Sequence, residues 1–337
     1  MQTYIVKGES EPEAAVIWRL KQSCQEYYLM KETYKRQKTK GTDNMISITD
    51  YINMKADKFE EKVANGYSLC SCDSLRFNEG NLPDYRYYIV QDLHAMRYDL
   101  AYAHEYKVMY TEMLESLKPG ASLEVTSLGC GNMVDYWSLK RVLPANCRVS
   151  YHGVDVIDWD DKFAACKGDK IDFSLQYISD YLYDCDELES DVYVFPKSIS
   201  EIDDDELEAI CRIISEKGFA KDEVHFLFSM RANQYSLDRD MAKTDKICAA
   251  IRAAGMMPDG KSGSLYTGPD KMIYNCDSDF NIDRLKKSYD MLNNLPYMCD
   301  NYHSGCCSCD LCAENRNQPM LKTKYIRYQI FTFRKVA

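Results

Sequence analysis

Apolar and polar side chains give the chain two textures. Up to about residue 80, helix-like and loop-like stretches alternate: AAVIWRLKQSCQEYYLMKETYK has helical spacing and KTKGTDN breaks it. Pro83 and Asp84 open a long helical stretch that runs to about Leu117 and stops at Lys118-Pro119-Gly120. Ile89, Leu93, Met96 and Leu100 recur on it at helical spacing, and Tyr98, Tyr102, Tyr106 and Tyr110 recur every four residues. We read the tyrosine stripe as a packing face, with a stacking platform for substrate as the alternative. From Ser122 the texture becomes strand, turn, helix, repeated. SLEVTSLG, CRVSYHGVDVI, DKIDFSLQYI, DVYVFPKSI and EVHFLFSM read as strands. MVDYWSLKRVL, ELEAICRIISEKG and DKICAAIRAAG read as the helices between them, the last two stopping on Gly218 and Gly255. This alternation predicts an α/β fold, a parallel sheet covered by helices on both faces. SLYTG or KMIYN, followed by KYIRYQIFTFRK, would close one edge, with a long insert between them.

Three regions follow: a helical N-terminal cap over 1–81, an α/β domain over 82–276 and 323–337, and a Cys-rich insert over 277–322. With 337 residues, 45% hydrophobic and 28% charged, the chain can bury a full core, which excludes collagen-like and wholly disordered classes. No apolar run approaches the roughly 18 residues that span a bilayer, and MQTYIVKGESEPEAAV lacks the pattern of a secretory leader, so a cytoplasmic location without membrane contact is expected. The net charge of −11 is uneven. From Asp155 to Glu208 there are 18 acidic side chains against four lysines, a local −14 that leaves the rest of the chain at +3. Segments 31–40 and 322–335 each carry five basic residues, interleaved with Tyr and Phe. We read them as solvated faces, with contact to nucleic-acid phosphates as the sharper alternative.

The chemistry points to the first strand–helix turn. SLEVTSL runs into Gly129-Cys130-Gly131-Asn132, where two glycines permit a sharp turn and a close approach to a ligand. A second strand ends on Asp155, placed to accept from ribose hydroxyls, and a third ends at Ser179-Asp180. Ligands of such sheets sit at these strand ends.

On these residues the chain resembles the class I S-adenosylmethionine-dependent methyltransferases, over roughly 82–276 and 323–337. The resemblance implies a seven-stranded, mostly parallel, doubly wound Rossmann-like sheet closed by an antiparallel strand, KYIRYQIFTFR. The family's first motif reads Ser127-Leu128-Gly129-Cys130-Gly131-Asn132-Met133, with Ser127 in place of an acidic residue, Met133 in place of a third glycine, and Asp135 shortly after. It further implies S-adenosylmethionine as cofactor, Asp155 on its ribose, Ser179 and Asp180 on the adenine side, and Phe195-Pro196-Lys197-Ser198 beside the methyl group. A dinucleotide-binding reading is weaker because position 134 of the GxGxxG pattern is Val.

Methyl transfer needs few side chains beyond those that align the partners. Lys197, as a holder of an acidic or phosphate group, and Glu201, as a general base, are the catalytic candidates; the plainer reading makes Ser200 and Glu201 the start of the next helix. Arg231 is a further pocket candidate, and His225 reads as a core histidine. The segment after the fourth strand lacks the (D/N)PP(Y/F) of amino-methylating nucleic-acid enzymes and the Pro-Cys pair of cytosine C5 enzymes. Of 15 cysteines, Cys299, Cys306, Cys309 and Cys312 have the spacing of a zinc site, with an iron–sulfur cluster as the alternative and Cys70, Cys72, His303 and Cys307 as possible substitutes. The expected activity is methyl transfer, with RNA as the favoured acceptor. A small-molecule or protein acceptor, or a non-catalytic binding module, is the alternative.

Overall fold

The computed structural model describes residues 45–70, 72, 84–117, 120–232, 234–260, 262–276, 280–299 and 319–336. Its buried β-branched and aromatic runs assemble into one sheet. The strands are β1 (Ser122–Leu128), β2 (Arg148–Asp155), β3 (Lys170–Leu175), β4 (Val192–Phe195), β5 (Glu223–Ser229), β6 (Met256–Pro258), β7 (Tyr266–Thr267) and β8 (Arg327–Lys335). Their order is β3-β2-β1-β4-β5-β8-β6. β1 through β5 run parallel, and β8 lies antiparallel to β5 with Phe226 opposite Phe331. One count differs from the expected seven. The strand beyond β8 is split in two, β6 on Phe333–Lys335 and β7 on Arg327 and Tyr328. KMIYN is no strand; Ile273–Asn275 is a 3-10 turn.

Alternation along the strands feeds two cores, because successive side chains leave opposite faces. Val192 and Val194 face one core, while Tyr193 and Phe195 face the other. The first core is covered by α1 (Ile48–Ala64), α2 (Tyr88–His94), α3 (Leu100–Ser116) and α4 (Val134–Val142). The second is covered by α5 (Ile178–Asp184), α6 (Asp204–Lys217) and α7 (Gln234–Ala253). Capping sets several boundaries. Ser47 accepts from the Asp50 amide at the start of α1, and Asp203 accepts from the Glu206 amide at the start of α6, which stops at Gly218 with φ +73°. The cap reading of Ser200 and Glu201 therefore fails: the helix starts three residues later.

The long helix expected over 83–117 is interrupted. Between α2 and α3, Ala95–Asp99 form a π-helical turn. Helix α8 (Lys286–Asn294), from the expected insert, packs on α1 from the expected cap, with Asn53 Nδ2 donating to the Arg284 carbonyl at 2.5 Å and Ser288 Oγ 3.1 Å from Asn53 Oδ1. No helix among the described residues is long and apolar enough to cross a membrane.

Candidate active site

Parallel strands on either side of β1 leave in opposite directions, so a crevice opens at their carboxyl ends. A cavity of about 210 Å³ lies there, lined by the turns after β1, β2, β3 and β4 on one side and by the segment 85–106 on the other. Gly129 (φ +77°) and Gly131 (φ +56°) make the turn after β1. A Cβ on Gly129 would stand 2.3 Å from the Cβ of Ser198, so the close pass of the turn after β4 requires glycine there. Met133 takes the left-handed conformation too (φ +66°), a backbone that glycine adopts at less cost.

Asp155 holds this turn. Its Oδ2 accepts from the Gly131 amide and its Oδ1 from the Ile157 amide, both at 2.8 Å. Burial raises its pKa, and these two amides work against the rise. Asn132 ties the turn to the helical side: its Nδ2 donates to Asp99 Oδ2 at 2.5 Å and to the Tyr51 hydroxyl at 3.1 Å, and its Oδ1 accepts from the Val134 amide.

Of the residues singled out in the sequence motifs, Gly129 to Asn132, Asp155, Pro196, Lys197, Ser198, Glu201 and Arg231 line the cavity. Ser127, Asp135, Phe195, Ser179 and Asp180 are absent from its lining. Ser127 and Asp135 are fully buried beneath the turn, where Tyr151 donates its hydroxyl to Asp135 at 2.8 Å and burial lifts that carboxyl to about 6. Phe195 belongs to the second core, its ring 5.0 Å from that of Phe228. β3 ends at Leu175, three residues before the apolar run does, so Gln176, Tyr177 and Ile178 form the turn at the cavity. Ser179 and Asp180 consequently fall in the first turn of α5, where Ser179 bonds to Glu206 and Asp180 is exposed.

Lys197 sits at the end of β4 with a left-handed backbone (φ +63°). Its ammonium pairs with Glu105 of α3 at 2.7 Å and donates to the Met230 carbonyl. Burial pulls its pKa down, and Glu105 opposes the pull. Lys197 is thus bound to the fold at three elements. Glu201 receives Arg231 Nη2 at 2.9 Å, and burial pushes its carboxyl up to about 7 despite that partner. His225 lies in the core with Nδ1 3.1 Å from Thr332 Oγ1.

Apart from Tyr102 and Tyr106 of the tyrosine stripe, sequence reasoning missed the opposite wall. Tyr85, His94, Asp99, Tyr102, Tyr106 and Trp159 complete the cavity. Two of the four stripe tyrosines, Tyr102 and Tyr106, therefore serve the pocket as well as the packing. Five residues apart on an α-helix do not share a face. The π turn brings His94 and Asp99 together, with Nδ1 and Oδ1 3.5 Å apart. Burial lowers the His94 pKa to about 3, helped by Arg97 and Lys55, and raises that of Asp99 to about 7, against the Asn132 hydrogen bond and Lys55. Because the folded Asp99 value lies above the unfolded one, its contribution to stability is complete below the ordinary carboxyl range and is lost as pH rises through about 7. The urea midpoint of Asp99→Asn should accordingly gain on that of the wild type as pH rises from about 4 to about 7. Parallel profiles would remove Asp99 as a source of the slope.

Cys306, Cys309 and Cys312, with His303 and Cys307, lie outside the described residues, as does segment 31–40. Cys299 and Cys72 are buried and Cys70 is exposed. Among the described residues no group of three or more His, Cys, Asp or Glu is placed to hold a metal ion. In segment 322–335, Arg334 pairs with Glu223 at 2.6 Å and with Asp259 at 2.9 Å, and Arg327 donates to the Lys324 and Ile326 carbonyls.

No protein-family model matches the chain, and no curated protein matches it in sequence. Solved structures do. The plantazolicin methyltransferase BpumL in complex with S-adenosylhomocysteine is 11% identical over 84% of this chain and 100% of its own, with a TM-score of 0.37. A Burkholderia thailandensis 1,6-didemethyltoxoflavin-N1-methyltransferase is 12% identical over 69% and 79%, with a TM-score of 0.34. The cyclopropane synthase MmaA2 from Mycobacterium tuberculosis is 11% identical over 68% and 83%, with a TM-score of 0.33. The fold reading rests on features independent of these likenesses: strand order, the glycine turn, the acidic end of β2 and the antiparallel β8. The chain has the fold of the class I S-adenosylmethionine-dependent methyltransferases.

Proposed function

We propose that the protein transfers the methyl group of S-adenosylmethionine to a small molecule held in the cavity at the strand ends. One observation carries this reading. The cavity joins a glycine turn and Asp155, which suit a nucleoside, to an aromatic wall bearing His94 and Asp99, which suits a second, flat reactant. Gly129 and Gly131 would let the backbone approach the cofactor, and Asp155, with carboxylate lone pairs beyond the two amides it accepts, would take the ribose hydroxyls. S-adenosylmethionine supplies an activated methyl group on a sulfonium. The chain supplies alignment and exclusion of water, for which Tyr85, Tyr102 and Trp159 give the apolar walls.

A small acceptor is favoured over RNA because the cavity is a recess and because Arg334 in the basic segment of β8 is engaged by carboxylates of the same fold. Calorimetry with S-adenosylhomocysteine tests the cofactor half. Binding is expected, with Asp155→Ala weaker by roughly 10- to 100-fold, the value of a lost charge-assisted hydrogen bond plus a loosened turn. Absence of binding, or unchanged affinity in Asp155→Ala, defeats the proposal. A labelled-methyl assay on separated small-molecule and RNA extracts tests the acceptor half. Label in RNA alone would return the acceptor to nucleic acid.

A further inference from the structure

The cavity contains a buried pair of titratable groups, and the atoms that face each other are left over by the fold: Asp99 spends only its Oδ2, on Asn132. His94 is 8% exposed and Asp99 is 0% exposed. Among the described residues His94 Nδ1 and Asp99 Oδ1 have no hydrogen-bond partner, yet they face each other across 3.5 Å. Buried polar atoms of a native fold are otherwise almost always satisfied, so two orphans in one cavity point to a missing ligand or a proton in transit. The surroundings of His94 are aromatic. The rings of Tyr85, Tyr98, Tyr102 and Trp159 lie 5.0–5.8 Å from one another or from its own, two of them edge-on to the imidazole. The charged groups that act on the pair are Arg97 of the π turn, whose guanidinium lies 5.0 Å over Tyr98, and Lys55 of α1, with Tyr51 and Asn132 on the Asp99 side and Asp155, Glu201 and Arg231 elsewhere in the cavity lining.

We propose that His94 and Asp99 act as a proton relay for a planar acceptor that is methylated on an aromatic hydroxyl or a ring N–H. This rests on the methyl-transfer reading and names its acceptor class. As the acceptor oxygen or nitrogen bonds to the methyl carbon, the carbon–sulfur bond breaks and its electron pair stays on sulfur, giving S-adenosylhomocysteine. The proton of the acceptor passes to His94 Nε2, and the proton on His94 Nδ1 passes to Asp99 Oδ1. The imidazole is neutral before and after, in opposite tautomers, and the proton rests on the carboxyl until solvent removes it. That route follows the burial. An imidazolium is costly in this site, whereas a neutral carboxylic acid is cheap, as the opposite shifts of the two groups record. The positive charge lost at sulfur is matched by the negative charge lost at Asp99, so no net charge is created in the cavity.

4-Nitrophenol, a flat phenol whose anion is coloured, tests the relay without a natural acceptor. With S-adenosylhomocysteine present, the bound phenol should ionise about one pH unit lower than the free phenol, a tenfold shift. Asp99→Asn and His94→Gln should bind it with its free ionisation midpoint restored. Failure of the phenol to bind, or ionisation that is unshifted in the wild type, overturns the relay and needs no variant to be seen. A shift that survives in both variants overturns it as well. Calorimetry on the same samples separates the two readings. A bound, unshifted phenol beside tight S-adenosylhomocysteine leaves methyl transfer standing without the relay. An ionised phenol in a protein that binds no S-adenosylhomocysteine removes methyl transfer, and with it the relay in that reaction, and leaves only a buried pair that takes a proton from a phenol.

Discussion

Replacing Lys55 by methionine should cost about 3–5 kcal/mol of folding stability, the usual effect of removing one partner from a buried ion pair. Lys55 is 1% exposed and contacts Asp92 Oδ1 at 3.0 Å, the Asp160 carbonyl at 3.0 Å and Asp161 Oδ2 at 3.1 Å; Asp92 is itself 0% exposed. Burial opposes the charge on Lys55, but Asp92 and Asp161 outweigh it and leave the pKa raised. Methionine keeps the length of the stem and strands a carboxylate. Lys62 remains on Asp92 at 2.5 Å and should hold the loss toward the lower end of that range. Urea unfolding measures the effect. The double variant Lys55→Met with Asp92→Leu should recover most of it, since an apolar pair replaces an ionic one at little cost. A single variant within about 0.5 kcal/mol of the wild type would show the pair to be energetically idle. The same substitution reaches the cavity, because Asp160 and Asp161 anchor the loop that carries Trp159.

Gly129→Ala should be the most damaging change in the glycine turn. Its Cβ would lie 2.3 Å from Ser198 Cβ, and the left-handed φ adds its own penalty, together on the order of 3 kcal/mol. Gly131→Ala is the internal control. It meets nothing nearer than Trp159 at 3.7 Å, so only the φ penalty of about 1–2 kcal/mol applies. Thermal or urea unfolding should rank Gly129→Ala well below Gly131→Ala, and S-adenosylhomocysteine affinity should fall with it. Equal losses would mean that the turn after β4 yields to the added methyl group.

Legibility in the sequence follows the range of the forces involved. Runs of β-branched and aromatic residues placed β1 to β5 and β8, and Gly129, Gly131 and Asp155 were found because a turn and a strand end are local events. Met256–Pro258 escaped because three residues carry no period. The end of β3 was placed three residues late because Gln176-Tyr177-Ile178 continues an apolar run into a turn. His94 and Asp99 were invisible for a different reason. Helical periodicity puts them on different faces, and only a π turn, which has no sequence signature of its own, unites them. Trp159 enters the cavity through tertiary contacts of α1, at long range in sequence.

The position of β8 bears on how the protein is made. Among the described strands β8 is the last to leave the ribosome, yet it lies inside the sheet, and β6 and β7 have no other described strand beside them. While the chain grows from Ser229 to Arg327, the aromatic edge of β5 at Phe226 and Phe228 waits without its neighbour. A nascent edge of that kind templates pairing with other chains. Yield of native protein should therefore depend on chaperones that shield the growing chain more than on the stability of the finished sheet.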